Sequence, residues 1–283
     1  MLVDIGGLRL AVQDGGTGLP VMLLHGFPLS SQIWDPVRPE LEPRCRLVTP
    51  DLRGMGLSDK PAGSYDMDTL AEDIVHLVDV IGLDRFVLGG HSMGGYVTLR
   101  FAARWPDRLL GLIFMDTKAE ADPPPGRVVR QESIAEIARY GAERYLDGFT
   151  PRLVGRTSHQ ERPELLGRLR AIAAGTPAHV LEGCQHGMLQ RTDSTPLLPS
   201  LDVPALVVVG EEDTFVPLGT AQAMAAELRW GTLVAIPGAG HTPSMEQPAA
   251  CGQALVDFLR VAGEPGPAPN LRPGPRAEGG SAP

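Results

Sequence analysis

Short apolar runs recur along the chain: "VMLLH" (21–25), "RLVTP" (46–50), "RFVLGG" (85–90), "LLGLIFM" (109–115), "ALVVVG" (205–210) and "TLVAIP" (232–237). Runs of this length without polar alternation predict parallel strands covered on both faces. Between them the period changes. In "DTLAEDIVHLVDVIG" the residues Leu70, Ile74, Leu77, Val78 and Ile81 fall on one helical face, and Thr69 with Glu72 has the spacing of a capping box. The opening "VDIGGLRLAVQ" breaks at Gly6-Gly7 and predicts an antiparallel hairpin at the sheet edge. Alternating strand and helix predicts an α/β fold, a mostly parallel eight-stranded sheet with helices on both faces.

The alternation stops between about Ala119 and Leu201. There "RVVRQESIAEIARYG", "AERYLDGF", "PELLGRLRAIAAG" and "AHVLEGCQHGMLQ" all have helical patterning, separated by Pro and Gly. This predicts a core of residues 1–118 and 202–262 with a helical cap, 119–201, inserted after strand six. Apolar side chains on those helices are expected to line the space beneath. From Gly263 to Pro283 the composition is dominated by Pro, Gly and Ala, which predicts a disordered tail.

Charge narrows the partners. The chain of 283 residues has a formal net charge of −9, which disfavours nucleic acid and anionic membrane surfaces and leaves a small molecule as the expected partner. Cys45, Cys184 and Cys251 show neither a CxxC nor a Cys/His ligand spacing, so no disulfide framework or zinc site is expected. The first residues lack the basic and apolar regions of a secretory signal, and no segment has the length and hydropathy of a membrane span. A reducing, cytoplasmic setting is expected. Oligomeric state is not legible.

The candidate chemistry begins at "VLGGHSMGGY". Gly90-His91-Ser92-Met93-Gly94 is a G-x-S-x-G between a predicted strand and a predicted helix, the context in which the motif presents a serine at the carboxyl end of a sheet. A serine hydroxyl needs a base, and the base needs an orienting group. Asp213, in "GEEDTFVP", and His241, in "PGAGHTPSMEQP", each follow a predicted strand. Asp116, in "FMDTK", also ends a strand and competes with Asp213 for the orienting role. An alkoxide formed on attack needs N–H donors. Met93 follows the serine, and Phe27 in "HGFP" follows the first long strand, with Pro28 restricting it to extended backbone.

Taken together, "HGFP", "DLRGMGLSD" (51–59), "GGHSMGG", "GEEDTFVP" and "GAGHTPSMEQP" resemble the α/β-hydrolase-fold enzymes of the single-domain, lidded kind, over about residues 2–262. The resemblance implies Ser92 as nucleophile, Asp213 as acid, His241 as base, Phe27 and Met93 as oxyanion-hole donors, and structural roles for Asp51, Arg53 and Gly54. It implies no metal and no organic cofactor. Dehalogenases and epoxide hydrolases of this fold carry aspartate at the nucleophile position, and dienelactone hydrolases carry cysteine. Serine points instead to a carboxylic ester hydrolase acting on short- to medium-chain esters or lactones. The 3-oxoadipate enol-lactonases and cofactor-free perhydrolases or haloperoxidases are the alternatives of the same class. His91 before the serine disfavours the C–C bond hydrolases, which tend to have asparagine there. A hydrolase-like ligand receptor is the reading from another class, disfavoured by a complete Ser-Asp-His set.

Overall fold

The computed structural model describes residues 1–262, and the tail expected to be disordered lies outside them. Eight strands form one sheet: β1 (Leu2–Asp4), β2 (Arg9–Gly15), β3 (Leu19–Leu24), β4 (Cys45–Pro50), β5 (Phe86–His91), β6 (Leu109–Met115), β7 (Ala205–Gly210) and β8 (Gly231–Ile236). Their order across the sheet is β1-β2-β4-β3-β5-β6-β7-β8. From β4 to β8 every pairing is parallel, while β1 and β2 form the antiparallel edge. The hairpin turns at Gly6 and Gly7, both at positive φ, where Asp4 Oδ1 accepts both of their N–H groups.

All six residues of β5 and all six of β7 are buried. Because neighbouring side chains point to opposite faces, both faces must be covered, as the uninterrupted apolar runs predict. β8 departs from that expectation. As the last strand it is only half covered, with one fully buried residue, Ile236.

The helices are α1 (Arg38–Leu41), α2 (Met67–Val80), α3 (Met93–Arg104), α4 (Pro124–Phe149), α5 (Arg156–Glu161), α6 (Glu164–Ala173), α7 (Ala178–Gln190), α8 (Leu218–Glu227), α9 (Pro243–Glu246) and α10 (Pro248–Ala262). The cap expected for α2 is corrected. The helix starts two residues before Thr69, and Asp66 Oδ1 accepts the Thr69 N–H at 2.8 Å, while Glu72 lies exposed and pairs with Arg104. Asp66 serves because a β-region carboxylate reaches the third helical N–H as well as a threonine hydroxyl does.

Between β6 and β7 the chain is helical throughout, α4 to α7 with short 3₁₀ turns at Thr150–Leu153 and Thr195–Ser200. α4 packs along α7 and breaks at Gly141, whose φ of 82° ends one helical stretch and starts the next, where the sequence separates "RVVRQESIAEIARYG" from "AERYLDGF".

One consequence of the strand order positions the site. β4 lies to one side of β3 and β5 to the other, so the loop after β3 and the turn after β5 stand side by side at the carboxyl edge. That is the topological switch point, where open α/β sheets hold ligands.

Candidate active site

Ser92 sits between β5 and α3 with φ 51° and ψ −115°, a backbone conformation few side chains adopt. Its N–H donates to Met115 C=O at 2.9 Å, and its C=O accepts the Thr117 hydroxyl at 2.8 Å, so the strained turn is held from β6. The flanking glycines are there because of close approach. A Cβ on Gly90 would stand 2.2 Å from the Gly94 backbone, and one on Gly94 would stand 2.6 Å from Leu24 C=O.

The loops after β7 and β8 bring the other two candidates to this serine. His241 Nε2 lies 2.9 Å from Ser92 Oγ, and His241 Nδ1 lies 2.7 Å from Asp213 Oδ2. Asp213 Oδ1 accepts the Phe215 N–H at 2.7 Å. With the carboxylate fixed on Nδ1, that nitrogen carries the imidazole proton and Nε2 is left facing the hydroxyl as an acceptor. Burial pushes the Asp213 carboxyl up, but the His241 imidazole on Oδ2 and the Phe215 N–H on Oδ1 outweigh it and hold the group below the ordinary aspartate value.

Asp116 is in the same neighbourhood in a different state. It sits at positive φ, is buried, and accepts the Gly210 N–H at 2.8 Å through Oδ1, while Oδ2 has no donor. Burial first, then the neighbouring Asp213 charge, drive its carboxyl well above the ordinary value. Asp116 lies beside Asp213 and has no hydrogen bond to His241. Of the two aspartates that compete for the orienting role, Asp213, the one expected from the sequence, lies against the imidazole.

Phe27 lines the same cavity as Ser92 and His241, and Met93 is the first residue of α3, where an N–H has no partner within the helix. The structure thus brings together all five residues singled out in the sequence.

Among the described residues, Asp116, Asp213 and His241 are also the one group of ligating side chains close enough to hold a metal ion, with donor atoms within 4.8 Å of one another. Those atoms are engaged with each other and with the Gly210 and Phe215 N–H groups, so a cation would have to displace the Asp213–His241 contact.

Several contributors had no signal in the sequence beyond lying within its motifs. The buried Glu246 carboxylate accepts N–H groups from Gly240 and Thr242, on either side of His241, and from Gly155 between β6 and β7. His91, buried and with its pKa pushed down to about 3 chiefly by burial, is neutral and donates from Nε2 to His241 C=O at 2.6 Å. His25, also lowered by burial, accepts the Leu52 N–H at 2.9 Å and ties the loop after β3 to the loop after β4. In that second loop Asp51 accepts N–H groups from Ser31 and Leu57, and Arg53 makes a two-pronged ion pair with Asp73.

The cavity above Ser92 has a volume of about 310 Å³. It corrects the expectation of an apolar lining. Val129, Phe149 and Met188 are there, but so are Asp122, Arg130, Ser133, Arg152 and Gln185 from the same inserted segment, and Lys118 just before it. The helices turn polar side chains inward because these satisfy one another within the wall, Arg130 donating to both Asp122 and Gln185.

The sequence matches the alpha/beta hydrolase fold family over residues 20–248. The chain belongs to that family. Among solved structures it is similar to a thermophilic esterase from Thermogutta terrifontis, at 39% identity and a TM-score of 0.87, covering 93% of this chain and 97% of that one. It is also similar to the enol-lactonase of Burkholderia xenovorans LB400, at 25% identity and a TM-score of 0.84, covering 92% and 100%. A curated relative, the 2-(acetamidomethylene)succinate hydrolase of Mesorhizobium japonicum, is 29% identical over 268 residues, 91% of this chain and 94% of the relative. This is a family of hydrolases, and a small-molecule substrate accords with it. Among the described residues no helix is long and apolar enough to cross a membrane.

Proposed function

We propose that this protein hydrolyses carboxylic esters or lactones through an acyl-enzyme on Ser92. The observation that carries the proposal is the unbroken relay from Ser92 Oγ to His241 Nε2, at 2.9 Å, and from His241 Nδ1 to Asp213 Oδ2, at 2.7 Å. In the reaction His241 takes the Ser92 proton as the oxygen attacks the carbonyl carbon. The resulting alkoxide is received by the Phe27 and Met93 N–H groups. The tetrahedral species expels the alcohol, which leaves with the proton held on His241. Water then attacks the acyl carbon, giving its proton to His241, and the acid departs as Ser92 recovers the proton. Asp213 holds the imidazole tautomer and offsets its charge at each transfer.

Residues 119–201 act as the cap that shapes the substrate cavity, and the cavity of about 310 Å³ suits short- to medium-length acyl groups. The similarity to an esterase and to an enol-lactonase supports both ester and lactone as substrate forms. The test is labelling by a fluorophosphonate together with a panel of esters, an enol-lactone and a peroxide-dependent assay. Labelling and ester or lactone turnover in the wild type, with both lost in Ser92→Ala, are expected. Undiminished turnover in purified Ser92→Ala contradicts the proposal.

A further inference from the structure

A chain with nine more acidic than basic side chains places three cations and one carboxylate in the wall of the cavity that holds Ser92 and His241: Lys118, Arg130, Arg152 and Asp122. The carboxylate is already committed. Arg191, behind the wall, takes both Asp122 oxygens at 2.7 and 2.8 Å, Arg130 Nε donates to the same group, and Lys118 Nζ lies 3.4 Å away. Burial would raise the Asp122 carboxyl, but these guanidinium groups hold it well below the ordinary range, so it stays ionised and fully shared.

Arg152 is different. Among the described residues it faces no carboxylate within ion-pair distance. Its guanidinium lies 5.0 Å from the centre of the Phe215 ring and 5.9 Å from that of Phe149. Phe215 in turn packs on the His241 imidazole, with 4.8 Å between ring centres. Arg152 is therefore one aromatic ring from the reacting histidine. Arg152 is solvent-exposed, and a ring face offsets part of its charge while leaving the N–H donors of its guanidinium free of protein acceptors among the described residues. Arg130, by contrast, is braced by Asp122, Gln185 and Met188. The cavity wall thus carries a net positive charge that its own carboxylate does not cancel, on a molecule whose remaining surface repels anions. Such a wall concentrates an anion at the site.

We propose that the substrate is an ester or lactone bearing a free carboxylate, which Arg152 receives with Arg130 and Lys118 contributing the surrounding field. The inference rests on Ser92 hydrolysing esters or lactones. Arg152 is a specificity residue here, acting on the non-reacting end of the substrate.

The test compares monomethyl succinate and monomethyl glutarate, with the carboxylate on the acyl side, and acetoxyacetate, with it on the alcohol side, against methyl pentanoate as the neutral control. Rates are followed by product chromatography at constant pH. A kcat/KM for at least one anionic ester about 10-fold or more above methyl pentanoate is expected, the scale of one charge-assisted hydrogen bond. In Arg152→Met that ratio falls about 10-fold, mostly through KM, with Arg152→Lys intermediate. Salt reduces the ratio in the wild type, and reduces it less in Arg152→Met, where only Lys118 and Arg130 still supply the field. Methyl pentanoate turned over through Ser92 at a kcat/KM equal to or above all three anionic esters overturns the inference and leaves the serine-hydrolase reading standing. A wild-type preference that Arg152→Met leaves intact overturns the role of Arg152. Absence of turnover on every ester, with no fluorophosphonate labelling, removes the hydrolase reading itself and this inference with it.

Discussion

Replacing Asp213 by Asn separates two carboxyl groups that both end strands in the sequence, Asp213 being the one expected to orient the histidine. The Phe215 N–H, 2.7 Å from Oδ1, requires an acceptor at that position, so the carbonyl oxygen of the introduced amide occupies it and the NH₂ takes the place of Oδ2, 2.7 Å from His241 Nδ1. Nδ1 must then accept, and the imidazole proton moves to Nε2, where it points at Ser92 Oγ and blocks proton removal. A wrong tautomer in a Ser-His-Asp relay costs about 10⁴ in kcat, or about 5.5 kcal/mol of transition-state stabilisation. Asp116→Asn replaces a carboxyl whose pKa burial drives well above the ordinary value with an uncharged near-isostere. The amide oxygen in that variant can still accept the Gly210 N–H and the NH₂ can donate to Asp213, so the loss is expected to stay within about 10-fold. Initial rates on a short aryl ester, with melting curves on both variants, provide the assay. An Asp213→Asn enzyme keeping a tenth of wild-type kcat, or an Asp116→Asn enzyme more damaged than Asp213→Asn, refutes the reasoning.

Asp116→Asn also has a stability signature. A folded-state pKa above the unfolded value of about 3.9 means the native state keeps a proton that the unfolded chain releases, so wild-type stability falls as pH rises above about 4. The variant escapes this loss: it melts higher than wild type at pH 7, and the two curves converge near pH 4. A variant less stable at pH 7 contradicts the raised pKa of Asp116. Glu246→Gln replaces an acceptor-only group facing N–H donors of Gly155, Gly240 and Thr242 with one that presents its own NH₂. A loss of about 2 to 4 kcal/mol in denaturant unfolding is expected, along with reduced kcat, and an unchanged unfolding midpoint counts against it. Ser92→Gly and Ser92→Ala are both expected to lose activity, but glycine tolerates φ 51°, and Ser92→Gly is expected to be the more stable by about 1 kcal/mol. The reverse order shows that the turn is not strained.

The sheet was readable because its strands are buried on both faces, and burial leaves a mark in composition that needs no knowledge of neighbours. The relay was readable because each member follows a strand, so chain order alone brings Ser92, Asp213 and His241 to one edge. Choosing Asp213 over Asp116 depends on side-chain direction, which periodicity does not carry. Glu246 carries no mark within "GAGHTPSMEQP", since nothing in the sequence shows that three backbone donors converge on it. The cavity lining was misjudged for a related reason. Apolar spacing on α4 and α7 locates a packed face, whereas the polar side chains entering the cavity are set by partners far along the chain, such as Asp122 with Arg191. Arg152 sits in "GFTPRL", where no local pattern distinguishes it from a solvated arginine.

The central claim, an acyl-enzyme on Ser92, is tested most directly by mass spectrometry of the reaction quenched during turnover of p-nitrophenyl butyrate. Cleavage after Arg85 and Arg100 isolates the peptide "FVLGGHSMGGYVTLR", which contains Ser92 as its one serine. The account predicts that this peptide gains the mass of a butyryl group in the wild type, that fragmentation places it on Ser92, and that Ser92→Ala shows none. Turnover with the butyryl group on another residue, or turnover undiminished in Ser92→Ala, contradicts it.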